Sequence, residues 1–377
     1  MTIRWEARLL TLAVAILVVV GIASVYGASS LVARGEGTVG ASFALRQAVG
    51  AAVGGIIATI LARVDHRLWR DWAWPILGGV VLLLLIPLLP FTEPVAPTIN
   101  GARRWITLGP VTVQPAEPAK VAIVAWVAML AAKKGEAIRT FRKGVMPVMV
   151  VLVPVAGLIF LQPNLSTAIV VVLLGGVVLF SAGAKIGHFL VLGVAAVPIL
   201  YGAVASAQYR LARVLTFLNP GAAPEEASWQ VQQSLLGIGA GQVFGVGFGQ
   251  GQQKLGYVPY AYSDFIFSTI GEEWGFLGVL VLAVLFGAVI WAGARIARSS
   301  TDPFGQLLAA GLTAMLGLTA ILHIGVNLAV IPATGIPLPF VSYGRSGLLV
   351  ALAAVGILVS IAHSGATRRS SVERGAT

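Results

Sequence analysis

The stretch from Trp229 to Gly278 reads WQVQQSLLGIGAGQVFGVGFGQGQQKLGYVPYAYSDFIFSTIGEEWGFLG. It is rich first in glycine and glutamine and then in aromatic residues, and it carries the acids Asp264, Glu272 and Glu273. Most of the chain on either side is apolar. An acid at the end of a polar loop, immediately before an apolar helix, is costly to place in a membrane and is a candidate for function. We therefore predict that Asp264 is the catalytic group.

The composition indicates a multi-pass membrane protein. Of 377 residues, 58% are hydrophobic and 10% are charged, whereas soluble domains carry about 25% charged residues. We predict one integral-membrane domain over residues 1–377, because no long polar segment could fold alone. The absence of cysteine excludes disulfides, cysteine-ligated zinc and thiol nucleophiles. The net charge of +11 is interpreted as cytoplasmic loops that face anionic membrane lipids, and nucleic acid is not predicted as a partner.

Because a span needs roughly 20 apolar residues, the hydropathy pattern predicts an all-α fold of about ten transmembrane helices. We place them at 9–28, 43–62, 73–91, 114–132, 144–161, 165–182, 187–207, 274–297, 304–330 and 342–362. The first is longer than the apolar region of a secretory signal and is expected to remain uncleaved. The eighth is predicted to start near Trp274, because two adjacent glutamates in hydrocarbon would be expensive. Residues 264–273 are then expected at the interface or in a re-entrant turn.

The basic residues predict the orientation. With the N-terminus in the cytoplasm, most of the 25 Lys and Arg residues fall in inner loops, as the positive-inside rule requires. Both termini are then cytoplasmic, and a large outer loop, 208–273, joins helices seven and eight. A second outer segment, 91–113, contains proline and glycine and is not expected to be helical throughout.

Ionisable residues concentrate at the predicted outer end of the bundle. They are Arg103, Arg104, Glu117, Lys120, Asp264, Glu272, Glu273 and Arg345. Glu117 and Lys120 lie three residues apart, so they share a helix face and can pair. The pattern predicts a polar site at the outer membrane surface.

Each group also has a structural explanation. Glu117 could serve the helix dipole with Lys120 as its neutralising partner. Arg103 and Arg104 could be solvated loop charges, and Glu272 and Glu273 could cap a helix. His323 is interpreted as a hydrogen-bonded packing residue. The glycines indicate close backbone approach rather than a phosphate cradle, because no GxxxxGK[ST] motif is present.

Asp264 differs because its neighbours in sequence are mostly rings. They are Tyr257, Pro259, Tyr260, Tyr262 and Phe265. Partial desolvation would raise the pKa of the carboxyl and suit it to general-base catalysis. An interfacial or salt-bridged aspartate is the alternative.

At these residues the sequence resembles the SEDS family (shape, elongation, division and sporulation), the RodA/FtsW group of peptidoglycan glycosyltransferases. The matching segments are NGARRWITLGPVTVQPAEPAK (100–120), LQPNLSTA (161–168), QQSLLGIGAGQVFGVGFGQGQQKLGYVP (232–259), SDFIFSTIGEEWGFLG (263–278) and IPATGIPLPFVSYGRSG (331–347). Within the family, the sequence is more similar to the division branch than to the elongation branch.

The resemblance implies an enzyme that polymerises lipid II on the outer face of the bacterial cytoplasmic membrane. It implies that Asp264 is the essential acid, that Glu117 and Lys120 of the QPxExxK motif line the same cavity, and that Arg104 and Trp105 lie at its outer mouth. Gln114, Arg103 and Lys254 complete the predicted substrate-binding set. The implied partners are lipid II, undecaprenyl pyrophosphate, membrane lipids and a class B penicillin-binding protein. No cofactor or protein-held metal site is predicted, with Mg²⁺ or Mn²⁺ as an optional helper.

The sequence departs from the family pattern near the acid. Tyr260 and Tyr262 replace a Glu and a His, Asn164 and Ser166 stand in the LQPNLSTA segment, and Arg345 is added in SYGRSG. These changes put in doubt any mechanism with a second acid or base beside Asp264.

Two other functions use similar features. A lipid II flippase would share the outer cavity but needs polar groups on both membrane faces, and the inner side carries only basic loops. A secondary transporter would tend to show broken, charged midplane helices and an inverted repeat, which the sequence lacks.

Overall fold

The computed structural model describes residues 2–29, 40–99, 101–109, 111–219, 225–253 and 260–375. These residues form a mainly helical bundle with one small hairpin. The helices are α1 (Thr2–Ala28), α2 (Gly40–Arg63), α3 (Arg67–Asp71), α4 (Ala73–Leu85), α5 (Ala116–Lys134), α6 (Met146–Leu161), α7 (Leu165–Ser181), α8 (Ile186–Ala205), α9 (Gln208–Leu218), α10 (Glu225–Ala240), α11 (Ile266–Ser299), α12 (Pro303–Asn327) and α13 (Arg345–Gly375).

Seven helices in the described ranges are long and apolar enough to cross a membrane. They are Trp5–Ala28, Ala41–Arg63, Phe141–Leu161, Ile186–Ala205, Ile266–Ser299, Pro303–Asn327 and Arg345–Ser364. The other three predicted spans coincide with the shorter apolar helices Ala73–Leu88 and Leu165–Ser181 and with α5, which carries four charges. The all-α, multi-pass character is confirmed, with seven helices meeting the length and composition criterion against ten predicted spans.

Two helices form the centre of the bundle. α5 is buried on almost every side, and α12 packs against α5, α7 and α11. A Cβ on Gly311 of α12 would come within 2.5 Å of Val124 on α5, so the absence of a side chain lets these helices approach closely. By contrast, α8 has no buried residue, and its apolar side chains are therefore available to lipid.

The segment 91–113 is not helical throughout, as predicted. It begins with a short 3₁₀ turn, Pro90–Thr92, and ends in an antiparallel hairpin of β1 (Ile106–Leu108) and β2 (Val111–Val113). The hairpin leads directly into α5. It also contacts the start of α13, because the Ser346 hydroxyl donates to the Thr112 carbonyl at 3.1 Å.

The predicted outer loop 208–273 is largely structured. It contains α9 and α10, which are too short to be identified as spans, and the first turns of α11, which belong to the span Ile266–Ser299. Ile266 to Glu273 are helical and buried inside the bundle, and the placement of 264–273 at the interface or in a re-entrant turn stays a prediction. The predicted start near Trp274 marks a real break, because Gly275 is non-helical with φ of 67°.

The glycine-rich segment after α10 fills the break in α11. The N–H groups of Phe276 and Leu277 donate to the carbonyls of Gln242 and Val243, at 2.8 and 3.2 Å. In return, the carbonyls of Glu272 and Glu273 accept hydrogen bonds from Val246 and Gly247, at 3.0 and 3.1 Å. The loop thus replaces the intrahelical hydrogen bonds that the break removes, which explains how a broken helix is tolerated at this depth.

Candidate functional site

Asp264 lies in the turn immediately before α11, and its main chain is held on both sides. Its N–H donates to the Tyr260 carbonyl at 3.0 Å, and its carbonyl accepts from the Asn327 side-chain amide at 3.2 Å. The preceding carbonyl, that of Ser263, accepts from the Ser342 hydroxyl at 2.6 Å. The position of Asp264 is therefore set by backbone contacts that do not involve its carboxyl group.

Asn327, the last residue of α12, connects this turn to the bundle. Its side-chain amide also donates to the His323 carbonyl at 2.9 Å, and its side-chain oxygen accepts from the Ser268 N–H at 3.1 Å. The buried amide satisfies groups of α11 and α12 at once. This arrangement fixes the acid relative to α12.

The carboxyl group of Asp264 lies beside the turn that follows α12. Its Oδ2 would be 3.7 Å from a Cβ on Gly335, so the acid and this turn are in close proximity. Burial raises the pKa of the Asp264 carboxyl above its ordinary value, while the nearby cation Arg213, a hydrogen bond from Ser263, and the cation Arg104 oppose the rise. The raised pKa of Asp264 that the sequence predicts agrees in direction with this environment.

The predicted ring cluster around Asp264 is only partly as expected. Tyr262 packs against Phe43 and Tyr343, with ring centroids 5.3 and 5.6 Å apart, and so it braces the turn. Tyr260 is 46% exposed and contributes less to burial. Tyr257 and Pro259 lie outside the described residues.

Glu117 and Lys120 form the predicted pair at the start of α5. Lys120 Nζ lies 3.0 Å from Oε1 and 2.9 Å from Oε2 of Glu117, and both side chains are buried. The pair lines a small cavity of about 20 Å³ together with Thr319, Pro337 and Pro339. A buried pair of this kind is costly to form unless its members have a further role or are fully hydrogen bonded.

One segment, 333–339, lies between Asp264 and this pair. Gly335 approaches the acid, and Pro337 and Pro339 line the cavity of Glu117 and Lys120. The structure therefore places Asp264, Glu117 and Lys120 at the same end of the bundle, around one turn.

The two predicted arginines differ in their surroundings. The Arg103 guanidinium donates to the Ala96 carbonyl at 2.9 Å and to the Thr92 hydroxyl at 3.0 Å, so it ties its own loop together. The Arg104 side chain lies near Tyr209, Arg213 and Asp264, and burial lowers its pKa. Of the two, Arg104 belongs to the environment of the acid.

The remaining predicted residues have less described contact. Trp105 is half-buried beside Arg104. Gln114 is half-buried, and its N–H donates to the Ser346 hydroxyl at 3.2 Å. Lys254 lies outside the described residues.

One residue of the site was missed by the sequence analysis, and another was interpreted correctly. Arg213 on α9 influences Asp264, and the only local signal for it was its three-residue spacing from Arg210 on an amphipathic helix. His323 is buried as predicted, with its Nδ1 2.8 Å from the Ile336 carbonyl, which places it directly beside the 333–339 segment.

Glu272 and Glu273 do not cap a helix of their own. Both are buried, and their carboxylates accept hydrogen bonds from loop amides: Gly249 bonds to Glu273 at 3.0 Å, and Gln252 bonds to Glu272 at 2.7 Å. Gln253 adds a longer bond to Glu272 at 3.2 Å. The two acids hold the glycine- and glutamine-rich loop in place.

The side chains that the structure describes do not form a donor set for a metal ion. Within the described ranges, no group of three or more His, Asp or Glu side chains could hold one. Asp264 faces cations rather than other carboxylates, an unfavourable environment for a divalent cation.

Comparisons with known proteins agree with one another. The family model described as "Cell cycle protein" (FTSW_RODA_SPOVE) matches residues 7–367. The chain is similar to the probable peptidoglycan glycosyltransferase FtsW of Trichlorobacter lovleyi, with 40% identity over 90% of this chain and 89% of that protein. It is also similar to stage V sporulation protein E of Bacillus subtilis, with 37% identity over 94% of this chain and 96% of that protein.

Solved structures show the same likeness. One is a chain from work on polymerization and crosslinking by a peptidoglycan synthase complex, with a TM-score of 0.77 and 29% identity over 94% of this chain and 97% of that one. Another is the rod shape determining protein RodA of Thermus thermophilus, with a TM-score of 0.68 and 28% identity over 94% of this chain and 96% of that one.

Proposed function

The chain belongs to the FtsW/RodA/SpoVE (SEDS) family of peptidoglycan glycosyltransferases, and on this premise we propose that it polymerises lipid II with Asp264 as the catalytic base. The donor would be a glycan chain linked to undecaprenyl pyrophosphate, and the acceptor a second lipid II. The observation that carries the proposal is the setting of the Asp264 carboxyl group at one end of the bundle. Its position is fixed by main-chain contacts, burial raises its pKa, and the cations Arg213 and Arg104 lie nearby.

The proposed reaction is a direct displacement at the anomeric carbon. Asp264 takes the proton of the acceptor hydroxyl as that oxygen forms a bond to the anomeric carbon. The bond from this carbon to the pyrophosphate oxygen breaks, and undecaprenyl pyrophosphate leaves with the electron pair. A single displacement inverts the anomeric centre. No ATP is consumed, because the pyrophosphate is already an activated leaving group.

Positive charge is needed where the leaving group departs. We assign this role to Arg104, whose side chain lies near Asp264, and to Lys120, which Glu117 holds at 2.9 Å. Trp105, Gln114 and Lys254 are retained as substrate-binding residues from the family resemblance. Arg103 is a weaker candidate because its donors are used within its own loop.

The chain is a multi-pass protein of the bacterial cytoplasmic membrane, and we propose that it forms one domain with both termini in the cytoplasm. The site would then face the outside, where lipid-linked precursors are polymerised. We further propose a class B penicillin-binding protein as partner. This follows from the family and from the similar chain solved in a peptidoglycan synthase complex.

A lipid II flippase is the alternative. It would use an outer cavity but also needs polar groups that serve an inward-facing state. In the described residues, ionisable groups at the predicted inner end contact each other across helices: buried Glu6 lies 3.2 Å from the exposed Arg295, and buried His66 lies 3.4 Å from Asp302. These charges are engaged in contacts between helices, which favours the polymerase.

A polymerisation assay separates the two functions. Purified protein is mixed with lipid II, with and without the cognate transpeptidase, and glycan strands are resolved by gel electrophoresis. We expect strands from the wild type. If no strands form even with the partner, while lipid II crosses the bilayer of proteoliposomes, the flippase is correct.

Lys120→Ala is expected to impair use of the donor more than use of the acceptor, because the lost ammonium is assigned to the pyrophosphate. Initial rates are measured first with the donor concentration varied and a lipid II analogue that can act only as acceptor held constant. They are then measured with the acceptor analogue varied and the donor held constant. A rise of about tenfold or more in the donor KM is expected from the loss of a charged hydrogen bond. An equal loss for both substrates would indicate a structural role for the pair.

A further inference from the structure

A second cavity lies beside the site, between α9, α10 and the turn after α12. Its volume is about 100 Å³, and it is open to the surface. Its walls are mostly apolar, and four polar residues, Arg213, Thr216, Ser228 and Gln232, also line it. The lining includes Arg213, Thr216, Phe217, Val231, Leu235 and Ile331.

Arg213 places a guanidinium in this cleft. Among the described residues it makes one hydrogen bond, from Nη1 to the Ala333 carbonyl at 3.3 Å, and it lies 5.9 Å from the ring centroid of Tyr209. A guanidinium has five N–H donors and suits paired phosphate oxygens. The cation is therefore held in place by one contact and retains donors for an anion.

Thr216 supplies an independent indication of a ligand. It lies one helical turn after Arg213, is 5% exposed, and lines the same cleft. Its hydroxyl has no hydrogen-bond partner among the described residues. A buried hydroxyl without a partner is unfavourable, so a ligand that accepts its hydrogen bond would remove the cost.

The cleft and the catalytic carboxyl share the turn 333–335. Arg213 donates to the carbonyl of Ala333, and a Cβ on Gly335 would lie 3.7 Å from Oδ2 of Asp264. An anion held by Arg213 would thus lie next to the group that reacts. Arg104, which is close to both Arg213 and Asp264, adds a second positive charge on this side.

The apolar walls indicate what accompanies the anion. Phe217, Val231, Leu235 and Ile331 offer hydrocarbon surface along the cleft. On α9, Leu211, Leu215 and Leu218 are exposed, as expected for a helix that lies against lipid. The chemistry that combines two or more negative charges with a long hydrocarbon chain is that of a polyprenyl diphosphate.

We infer that this cleft binds the polyprenyl diphosphate portion of the donor, with the diphosphate at Arg213 and Thr216 and the first isoprene units along Phe217, Val231 and Leu235. The inference rests on the proposed polymerase function and names the place of its leaving group. It assigns Arg213 and Thr216 as binding residues.

The test measures binding directly, so that it does not depend on polymerisation. The full chain in detergent is titrated by calorimetry with farnesyl diphosphate, with inorganic pyrophosphate and with farnesol. Variants are Arg213→Gln, Thr216→Val and Leu235→Trp. Leu236→Trp is the matched control, because Leu236 is the adjacent residue on α10, is 59% exposed, and is not among the residues that line the cleft.

We expect farnesyl diphosphate to bind the wild type more tightly than either of the other probes. Arg213→Gln should weaken it about 10- to 100-fold and Thr216→Val about 2- to 10-fold, as for charged and neutral hydrogen bonds. Leu235→Trp should weaken the binding of farnesyl diphosphate and leave the binding of inorganic pyrophosphate unchanged. Leu236→Trp should change the binding of neither probe. Wild-type affinity in Leu235→Trp, or equal binding of inorganic pyrophosphate, would overturn the tail site. Wild-type affinity in both Arg213→Gln and Thr216→Val would overturn the headgroup site.

The outcomes also separate this inference from the proposed function. If the wild type polymerises lipid II but the cleft variants bind farnesyl diphosphate as the wild type does, the cleft assignment fails and the polymerase stands. If the cleft binds as expected but no strands form, the polymerase fails and the cleft remains a polyprenyl diphosphate site. Thr216→Val adds no bulk and removes no charge, so it remains informative if Arg213→Gln is unstable.

Discussion

Asp264→Asn and Asp264→Ala are expected to abolish glycan polymerisation. The carboxylate is assigned as the base for the acceptor hydroxyl, and general-base catalysis typically contributes about 10²–10⁴-fold to the rate. Asparagine keeps the shape of the side chain but cannot take a proton under these conditions. The measurement is the initial rate of strand formation from lipid II, with the transpeptidase present.

Folding should survive these substitutions. The contacts that position the residue, with Tyr260 and Asn327, use its main chain. Size-exclusion profiles and apparent unfolding temperatures should therefore match the wild type. Asp71→Asn is a suitable control for the loss of one negative charge, because Asp71 is exposed and lies at the end of α3, far along the chain from the site. Full activity in Asp264→Asn would refute the assignment.

The pH dependence provides a second measure of the same group. A base acts when unprotonated, so activity should fall as the pH decreases through the pKa of Asp264. Burial raises that pKa, so the fall should begin at a higher pH than for a solvent-exposed aspartate, whose pKa is about 3.9. Arg213 favours the charged carboxylate, so Arg213→Gln, assayed at saturating donor, should move the acidic limb to still higher pH.

The second large effect is expected at the break in α11. Gly245→Ala should destabilise the protein by about 2–5 kcal/mol, from overpacking together with a left-handed backbone. Gly245 has φ of 80°, and a Cβ there would collide with the carbonyl of Glu273. That carbonyl is the acceptor for the loop N–H of Gly247, so relief of the collision would separate the loop from the helix.

Apparent unfolding temperature in detergent is the measurement, and loss of polymerisation should accompany it because the helix that starts beside Asp264 is disturbed. Gly239→Ala is the matched control. Gly239 lies inside α10 with a helical backbone and open space around its missing Cβ, so alanine should be neutral or stabilise the helix by about 0.5–1 kcal/mol. Equal stability of Gly245→Ala and the wild type would show that the loop does not depend on its docking in the break.

Several parts of this architecture follow from local sequence. Spans are recognisable because hydrocarbon accepts only long apolar helices. The pairing of Glu117 with Lys120 is recognisable because residues three apart share a helix face. The break near Trp274 is also a local effect, since adjacent buried acids and a glycine interrupt an otherwise apolar run. Burial raises the pKa of Asp264, as its aromatic neighbours in sequence led us to expect, although the described residues around it differ from those expected.

Other features depend on residues far apart in the chain. Glu272 binds amides 19 and 20 residues before it, and Arg213 binds a carbonyl 120 residues later. From the sequence, Glu272 and Glu273 could be interpreted as helix caps, and Arg213 was one basic residue among several. A hydrogen-bond partner across the bundle leaves no periodic signal in the sequence. The sequence by itself therefore determined the membrane fold and the family, and it predicted Asp264 as the acid. Only the tertiary structure decided which loop fills the broken helix and which cations face the acid, because buried polar groups must find partners wherever the packed helices bring them.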